Sequence, residues 1–168
     1  MLKGKVMSMI YPNSTDKKII KTVLLSLFIL VPQIYAGALK NIKKCSDGDP
    51  LACYHTGMLF EEGKGTKPNL SKAKRYYKKS CTLGYGTGCN HVAKILRKEK
   101  KYQSAFNYYL TGCHFNQANA CYDLASLYKE GKGIHLNYKK AKQYYKKACR
   151  LGNKTSCKNY AYLDRNGI

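Results

Sequence analysis

Small and large apolar residues recur along this chain at helical spacing in four separate places. In each place a glycine or alanine is followed two positions later by leucine or isoleucine. The four pairs are Gly57 with Leu59, Ala93 with Ile95, Ala125 with Leu127 and Ala161 with Leu163. This spacing predicts an amphipathic helix, here called helix A, whose small residue allows a neighbouring helix to approach closely.

A second amphipathic helix, helix B, is predicted after each of the first three helices A. Each helix B carries an alanine and then two adjacent tyrosines: Ala73 with Tyr76 and Tyr77, Ala105 with Tyr108 and Tyr109, and Ala141 with Tyr144 and Tyr145. Asn69 and Asn137 precede two of these helices as predicted N-caps. Because the tyrosine pairs keep a strict register, we expect them to pack in the core and between repeats rather than to stack on bases.

The cysteines follow the same period. Eight cysteines form four pairs, and the members of each pair are eight residues apart: Cys45 and Cys53, Cys81 and Cys89, Cys113 and Cys121, Cys149 and Cys157. Eight residues of continuous helix span about 12 Å, whereas a disulfide joins Cα atoms no more than about 7 Å apart. Bonded pairs therefore require a turn between the cysteines. Gly48, Gly84 and Gly152 supply the turn chemistry, and the third spacer has only Asn116 for this purpose.

Pairing at eight-residue separation uses every cysteine and gives four equivalent bridges. A competing scheme joins Cys53 to Cys81, Cys89 to Cys113 and Cys121 to Cys149, and it leaves Cys45 and Cys157 unpaired. Structural zinc fits less well, because its ligands usually lie two to four residues apart. We therefore predict four short-range disulfides, each contributing about 2.5 kcal/mol in the chain-entropy model, and no metal.

The period divides residues 39–168 into stacked units. The first cysteines of successive pairs are 36, 32 and 36 residues apart, which gives units 45–80, 81–112 and 113–148 and a terminal half repeat, 149–168. The middle unit is short because it lacks four residues of the loop between its helices. Self-similarity at a fixed period predicts an all-α solenoid of helix pairs, each stapled by a disulfide to the next helix A.

These motifs resemble the Sel-1-like repeat family, whose pattern includes glycine-x-glycine, lysine-alanine and a paired aromatic. The third unit shows them as Gly131-Lys132-Gly133, Lys140-Ala141 and Tyr144-Tyr145. With cysteines at both ends of each turn, the chain is similar to the Helicobacter cysteine-rich protein subgroup of that family. The resemblance implies a right-handed, tetratricopeptide-like α-solenoid. The subgroup is also similar to proteins classed as β-lactamases, which bind or hydrolyse penicillin-like compounds.

Residues 1–38 are predicted to be an N-terminal extension followed by a secretory signal peptide. Lysines precede the apolar run 23–31, and Ala36-Gly37-Ala38 offers cleavage after Ala36 or Ala38. The run is too short to span a bilayer comfortably, so we expect no stable membrane insertion after processing. Because disulfides need an oxidising compartment, we predict a secreted or periplasmic protein.

Positive charge dominates residues 39–168, which carry 26 Lys and Arg against 8 Asp and Glu, a formal charge of +18. One interpretation is a solvated lysine face that raises solubility. The other is attraction to an anionic extracytoplasmic partner such as peptidoglycan, lipopolysaccharide, a host glycan or an acidic peptide. Nucleic acid is not expected as a partner, because the predicted signal peptide and disulfides indicate a protein that functions outside the cytoplasm. We expect a monomer.

No catalytic constellation is evident in the sequence. Serine β-lactamases use Ser-x-x-Lys together with Ser-Asp-Asn and Lys-Thr-Gly. Ser71–Lys74 and Ser126–Lys129 match the first element, but a lysine-rich chain produces such matches by chance, and Ser-Asp-Asn is absent. The four histidines are dispersed, so no metal or other cofactor is predicted. Hydrolase activity is therefore an implication of the resemblance alone.

A binding surface is predicted on helix A, because solenoids of helix pairs present a concave surface lined by one helix of each pair. The outward positions should be the first and fifth after the second cysteine of each pair. From these positions we select a candidate binding set: Tyr54, Asn90, Lys94, Tyr122 and Ser126. We predict a scaffold that binds an extracytoplasmic peptide, a peptidoglycan fragment or a host protein or glycan. The alternative is a β-lactam-binding protein with hydrolase activity.

Overall fold

The computed structural model describes residues 18, 19, 21, 36–64 and 66–167. Contacts divide the chain into two units, Met1–Leu39 and Lys40–Ile168. Most of the predicted signal segment lies outside the described residues, so its assignment stays a prediction. Among the described residues no helix is both long and apolar enough to cross a membrane.

The second unit is helical, as the periodicity predicts. From residue 50 onward its helices are α1 (Pro50–Glu62), α2 (Leu70–Thr82), α3 (Gly86–Lys98), α4 (Tyr102–His114), α5 (Ala118–Glu130), α6 (Tyr138–Arg150) and α7 (Lys154–Arg165). Residues 40–46 are helical as well, and the described ranges contain no strand. Helices α1, α3, α5 and α7 are the predicted helices A, and α2, α4 and α6 are the predicted helices B. Each packs mainly against its neighbours in the chain, so the unit is an α-solenoid.

Short polar side chains begin most of these helices. Asn69 and Asn137 accept hydrogen bonds from the backbone N–H groups of Lys72 and Lys140, which confirms both predicted N-caps. Asp49 caps α1 in the same manner, and Asn153 caps α7. These caps satisfy backbone donors that a helix N-terminus leaves free.

All four predicted disulfides are present, and each joins the end of one helix to the next helix A. Their Cα atoms are 4.5 to 4.6 Å apart. The third residue after the first cysteine has a left-handed backbone in every turn: φ is 94° at Gly48, 89° at Gly84, 56° at Asn116 and 92° at Gly152. The chain reverses there because glycine, and less readily asparagine, accepts this conformation. The pairing scheme and the role of Asn116 are therefore confirmed.

The second tyrosine of each helix B forms the centre of the core. Tyr77, Tyr109 and Tyr145 are buried, as are Ala93 and Ala125. At Gly57 an added Cβ would lie 2.6 Å from two carbons of the Tyr77 ring, so this glycine provides the predicted close approach. The equivalent prediction for Ala161 is wrong: its side chain is exposed, because the described chain places no helix B over α7.

The connections between helices A and B differ as their lengths predict. Gly63, Gly131 and Gly133 have positive φ in the long connections of the first and third repeats. In the short middle connection α3 ends at Lys98 and α4 begins at Tyr102, and Lys100 takes the left-handed conformation instead. The middle repeat thus keeps its helix pair with a tighter turn.

Candidate functional site

Tyr54 of α1 meets His91 of α3, and we group these two side chains with Lys94 of α3 and Tyr122 of α5 under the name helix A strip. Tyr54 Oη lies 3.4 Å from His91 Nε2, and the two rings are 5.2 Å apart at 72°. This contact joins α1 to α3 between two different repeat positions, because the counterpart of Tyr54 in the middle repeat is Asn90.

The two tyrosines of the helix A strip rest on the core. The ring centroid of Tyr54 is 5.7 Å from that of Tyr77, and Tyr122 is 5.7 Å from Tyr145. Tyr54 and Tyr122 are half-buried, so each keeps part of its ring open to solvent. Packing against a buried tyrosine fixes their orientation and lowers the entropy that binding would cost.

Two members of the predicted binding set do not point outward. Asn90 is 2% exposed and Ser126 is 8% exposed. Ser126 Oγ donates to the carbonyl of Tyr122 at 3.1 Å and lies 3.2 Å from Tyr145 Oη. The prediction of outward positions is wrong here because these side chains are short and end below the surface, whereas Lys94 at an equivalent position is exposed.

A polar cluster that the sequence did not predict lies between the first two repeats. Tyr77 Oη donates to Glu61 Oε2 at 2.6 Å, and His91 Nδ1 is 3.7 Å from the same oxygen. Burial raises the pKa of Tyr77, and Glu61 raises it further. Burial lowers the pKa of His91, against the opposing effect of Glu61. The sequence carried one signal for this cluster. The second residue after the second cysteine of a pair is polar at His91, Asp123 and Asn159.

Asp123 and Arg97 form a second polar contact, between the middle and third repeats. Arg97 Nη1 lies 3.7 Å from Asp123 Oδ1, and the aspartate is 6% exposed. Burial raises the pKa of the Asp123 carboxyl, while Arg97 and Lys94 act in the opposite direction. Asp123 is therefore a buried polar group of the same helices A that carry the two half-buried tyrosines and the exposed Lys94.

The serine-lysine matches do not form hydrogen-bonded pairs in the described chain. Lys74 Nζ instead binds Glu99 Oε1 at 2.6 Å, and Ser71 and Lys129 are exposed. Within the described residues no group of three or more His, Cys, Asp or Glu side chains could hold a metal ion.

Charge is divided between the two kinds of helix. Helices α2 and α6 contain 5 and 6 Lys or Arg residues, α4 contains none, and all three lack Asp and Glu. The carboxylates of the described helices lie in helices A, among them Glu61, Asp123 and Asp164. The helix B surface is therefore cationic on α2 and α6, while the helices A carry charges of both signs.

The Sel1 repeat family matches the chain at residues 50–85 and 118–153. These ranges correspond to the first and third helix pairs, and the middle pair with its short connection lies between them. A curated relative is named cytochrome c oxidase assembly factor 7, from Xenopus tropicalis. It is 28% identical over 127 residues, which are 69% of this chain and 55% of that protein. The chain thus spans about half the length of this relative.

Solved structures share the architecture. A Sel1 repeat protein from Oxalobacter formigenes superposes with a TM-score of 0.73 at 22% identity, covering 83% of this chain and 58% of that one. Cysteine-rich protein B of Helicobacter pylori gives a TM-score of 0.60 at 26% identity, covering 76% of this chain and 95% of that one. The second similarity extends over nearly the whole of a cysteine-rich protein.

Proposed function

Because the chain is a Sel1-like repeat protein built as a disulfide-stapled α-solenoid, we propose that it is a binding scaffold of an extracytoplasmic compartment. Its ligand is a peptide, or a glycan that carries one, such as a peptidoglycan fragment. The ligand lies along the helix A strip. A host protein or glycan with an exposed peptide segment is an alternative ligand, because it presents the same peptide groups to the helix A strip.

One observation carries this proposal: Tyr54 and Tyr122 each present a half-exposed ring that rests on a buried tyrosine of the same repeat. Tyrosine contributes much of the energy at interfaces, because it buries a large rigid surface and keeps a polar end. His91 and Lys94 belong to α3, which follows α1 and precedes α5 in the array, and they would supply polar contacts. The arrangement fits an extended chain that places side chains against both rings.

The charge supports an anionic ligand. With a formal charge of +18 on residues 39–168, the unit attracts acidic peptides and peptidoglycan stem peptides over long distances. Lys94, exposed on the helix A strip, is positioned for direct contact with such a ligand. The helix B lysines contribute attraction rather than contact.

The disulfides support the proposed compartment. Four bridges among the described residues fit an oxidising environment outside the cytoplasm. We propose secretion to the periplasm or beyond by the segment 1–38, with cleavage after Ala36 or Ala38. Mass spectrometry of the mature protein tests this: an intact chain from residue 17 onward in the membrane fraction would reject it.

The Xenopus relative is named a cytochrome c oxidase assembly factor, and from that name we carry over to this chain only a role in binding another molecule. Among the described residues neither Ser71 nor Ser126 forms a hydrogen bond to the lysine of its Ser-x-x-Lys match, so no contact supports the alternative of β-lactam hydrolysis. Nitrocefin turnover by the refolded protein that is lost in Ser71→Ala or Ser126→Ala would reverse this conclusion.

The test is a titration of peptidoglycan stem peptides and an acidic peptide library against single variants, with circular dichroism to verify folding. Loss of a central aromatic anchor costs about 2 kcal/mol, so Tyr54→Ala and Tyr122→Ala should raise Kd about 30-fold. Tyr138→Ala is the matched control, because Tyr138 is an exposed tyrosine on helix B. An equal loss of affinity in Tyr138→Ala would place the ligand elsewhere.

A further inference from the structure

A cavity of about 510 Å³ lies between α6 and α7, and none of its lining residues belongs to the helix A strip. Small-molecule sites in proteins usually have volumes of about 300–1,000 Å³, so the cavity is large enough for a small organic ligand. Its lining side chains are basic, polar or aromatic, apart from one carboxylate: Lys139, Lys142, Gln143, Lys146, Tyr160 and Asp164.

The repeat register places charges in this groove where the preceding groove is aromatic. Between α4 and α5, Phe106 stands seven residues before a first cysteine and meets Tyr128, seven residues after the second, with ring centroids 5.5 Å apart. The same two positions hold Lys142 and Asp164 between α6 and α7, where Nζ lies 2.9 Å from Oδ1. An ion pair thus replaces an aromatic pair, and the groove suits a polar ligand.

Three lysines of α6 share the face that lines the cavity. Lys142 and Lys146 stand three and seven residues after Lys139, which is the spacing of one helix face. Asp164 binds Lys142, whereas Lys139 and Lys146 form no ion pair within the described chain. The cavity therefore carries two ammonium groups whose charge no carboxylate of the described residues neutralises.

The wall of the cavity is open to a ligand. Lys139 and Lys146 are exposed, and Lys142 and Tyr160 are partly exposed. Lys146 Nζ lies 5.5 Å from the centroid of the Tyr160 ring, so one unpaired cation is adjacent to the aromatic wall. A polar end aids the solubility of a repeat array, but charges of either sign would serve that purpose. Solubility alone therefore does not account for two unpaired cations around a cavity.

We propose that Lys139, Lys142 and Lys146 form a binding site for a phosphate monoester in this cavity. Such an ester carries a charge of about −1.5 to −2 near neutral pH and three strong acceptor oxygens. Its charge matches the two unpaired ammonium groups, and each lysine can donate to one oxygen. Tyr160 and Gln143 line the space for the organic part of the ester. The site is separate from the helix A strip, so it does not depend on the proposed peptide ligand.

The charges of the cavity favour a phosphate monoester over other groups. A carboxylate brings a single negative charge, so it neutralises only one of the two unpaired lysines, and an uncharged sugar neutralises neither. Asp164 has the opposite effect on the ligand, because its carboxylate repels an anion and holds the ammonium group of Lys142. Removal of this carboxylate should therefore strengthen the binding of phosphate.

The test is an NMR titration of the isotopically labelled, disulfide-intact protein at constant ionic strength. Glucose 6-phosphate should shift the backbone amides of Tyr160 and Asp164 and the side-chain amide of Gln143 to saturation. Glucose should not, and glucuronate should bind more weakly. Absence of a saturable shift with glucose 6-phosphate would overturn the proposal, as would equal affinity for glucuronate. Inorganic phosphate separates the two sources of the group: tighter binding of glucose 6-phosphate supports an ester, and equal binding would reject it in favour of free phosphate.

Matched lysine variants locate the phosphate. Lys146→Gln should raise the Kd for glucose 6-phosphate about fivefold, and Lys146→Arg should raise it less because the charge is kept. Lys78→Gln is the control, since Lys78 is the exposed lysine at the same repeat position on α2, and it should leave the Kd unchanged. Equal losses of affinity in the two glutamine variants would show that net charge alone attracts the phosphate and would refute the site.

Asp164→Asn should change the affinity in the opposite direction. It removes the repelling carboxylate and releases Lys142 to the ligand, so the Kd for glucose 6-phosphate should fall about threefold. Damage to α7 would weaken binding instead, so tighter binding in this variant reports the charge and not the fold. Circular dichroism verifies that each variant is folded. Unchanged or weaker binding in folded Asp164→Asn would contradict the proposed site.

Discussion

At the scale of the residue, Gly57 shows how close the helices of one repeat lie. A Cβ at this position would be 2.6 Å from two carbons of the Tyr77 ring, which is held in the core. Glycine in a helix interior usually costs about 1 kcal/mol relative to alanine. The close contact therefore has to outweigh the helical preference for alanine.

We expect Gly57→Ala to destabilise the fold by up to about 2 kcal/mol. The gain in helix propensity is smaller than the overpacking cost of about 1–3 kcal/mol. Denaturant unfolding measures the difference, and Ser104→Ala in an exposed position of α4 is the control. A net stabilisation by Gly57→Ala would show that the tyrosine ring can move aside.

His91 predicts a pH dependence of stability. Burial lowers its pKa below the ordinary value of 6.5, while Glu61 opposes the shift and Lys94 adds to it. In the window between the lowered folded pKa and 6.5 the unfolded chain binds more protons, so stability falls as the pH falls through this window.

The measurement is the unfolding free energy of wild type and His91→Gln between pH 5 and 7.5. We expect the part of the acid loss that starts near pH 6.5 to disappear in His91→Gln and to persist in His55→Gln, whose side chain is exposed. Identical pH profiles for wild type and His91→Gln would contradict the assigned environment.

At the scale of the element, each disulfide closes the turn between two helices. An eight-residue loop corresponds to about 2.5 kcal/mol in the chain-entropy model. The effect should depend on position, because each helix of a stacked array contacts mainly its neighbours. α7 packs on α6, whereas α3 packs on α2 and α4.

Hydrogen exchange should separate a terminal bridge from an internal one. Replacing Cys149 and Cys157 by alanine should expose the amides of α7 and leave those of α3 and α4 protected. Replacing Cys81 and Cys89 should lower protection across the array, by about 2.5 kcal/mol. Equal effects of the two double variants on α3 would indicate that the solenoid unfolds as a single unit.

The elements were largely predictable from the sequence, and the fine orientation of the site was not. Periodicity gave the helices, and cysteine spacing gave the bridges, because both depend on local geometry. The burial of Asn90 and Ser126 depends on side-chain length and on which neighbouring side chains cover each position, so spacing alone placed them on the surface. The exposure of Ala161 likewise depends on whether another helix packs there.

At the scale of the whole unit, the distribution of charge predicts how a ligand arrives. Helices α2 and α6 are rich in lysine and lack carboxylates. Long-range attraction of this kind raises association rates and is screened by salt, since the Debye length is about 10 Å at 0.1 M.

Charge removal on helix B should therefore change the association rate alone. We expect Lys78→Gln combined with Lys139→Gln to slow the binding of an acidic peptide at low salt and to have no effect at 0.5 M salt. The dissociation rate should be unchanged. Stopped-flow kinetics checks this, and a faster dissociation would show that these lysines touch the ligand.

The binding of a peptide along the helix A strip is tested most directly by hydrogen exchange of the disulfide-intact protein with and without a saturating peptidoglycan stem peptide. We predict added protection in α1, α3 and α5, with the middle and C-terminal parts of α2 and α6 unchanged. Protection confined to α2 and α6 would place the ligand on the cationic helix B surface and contradict the assignment.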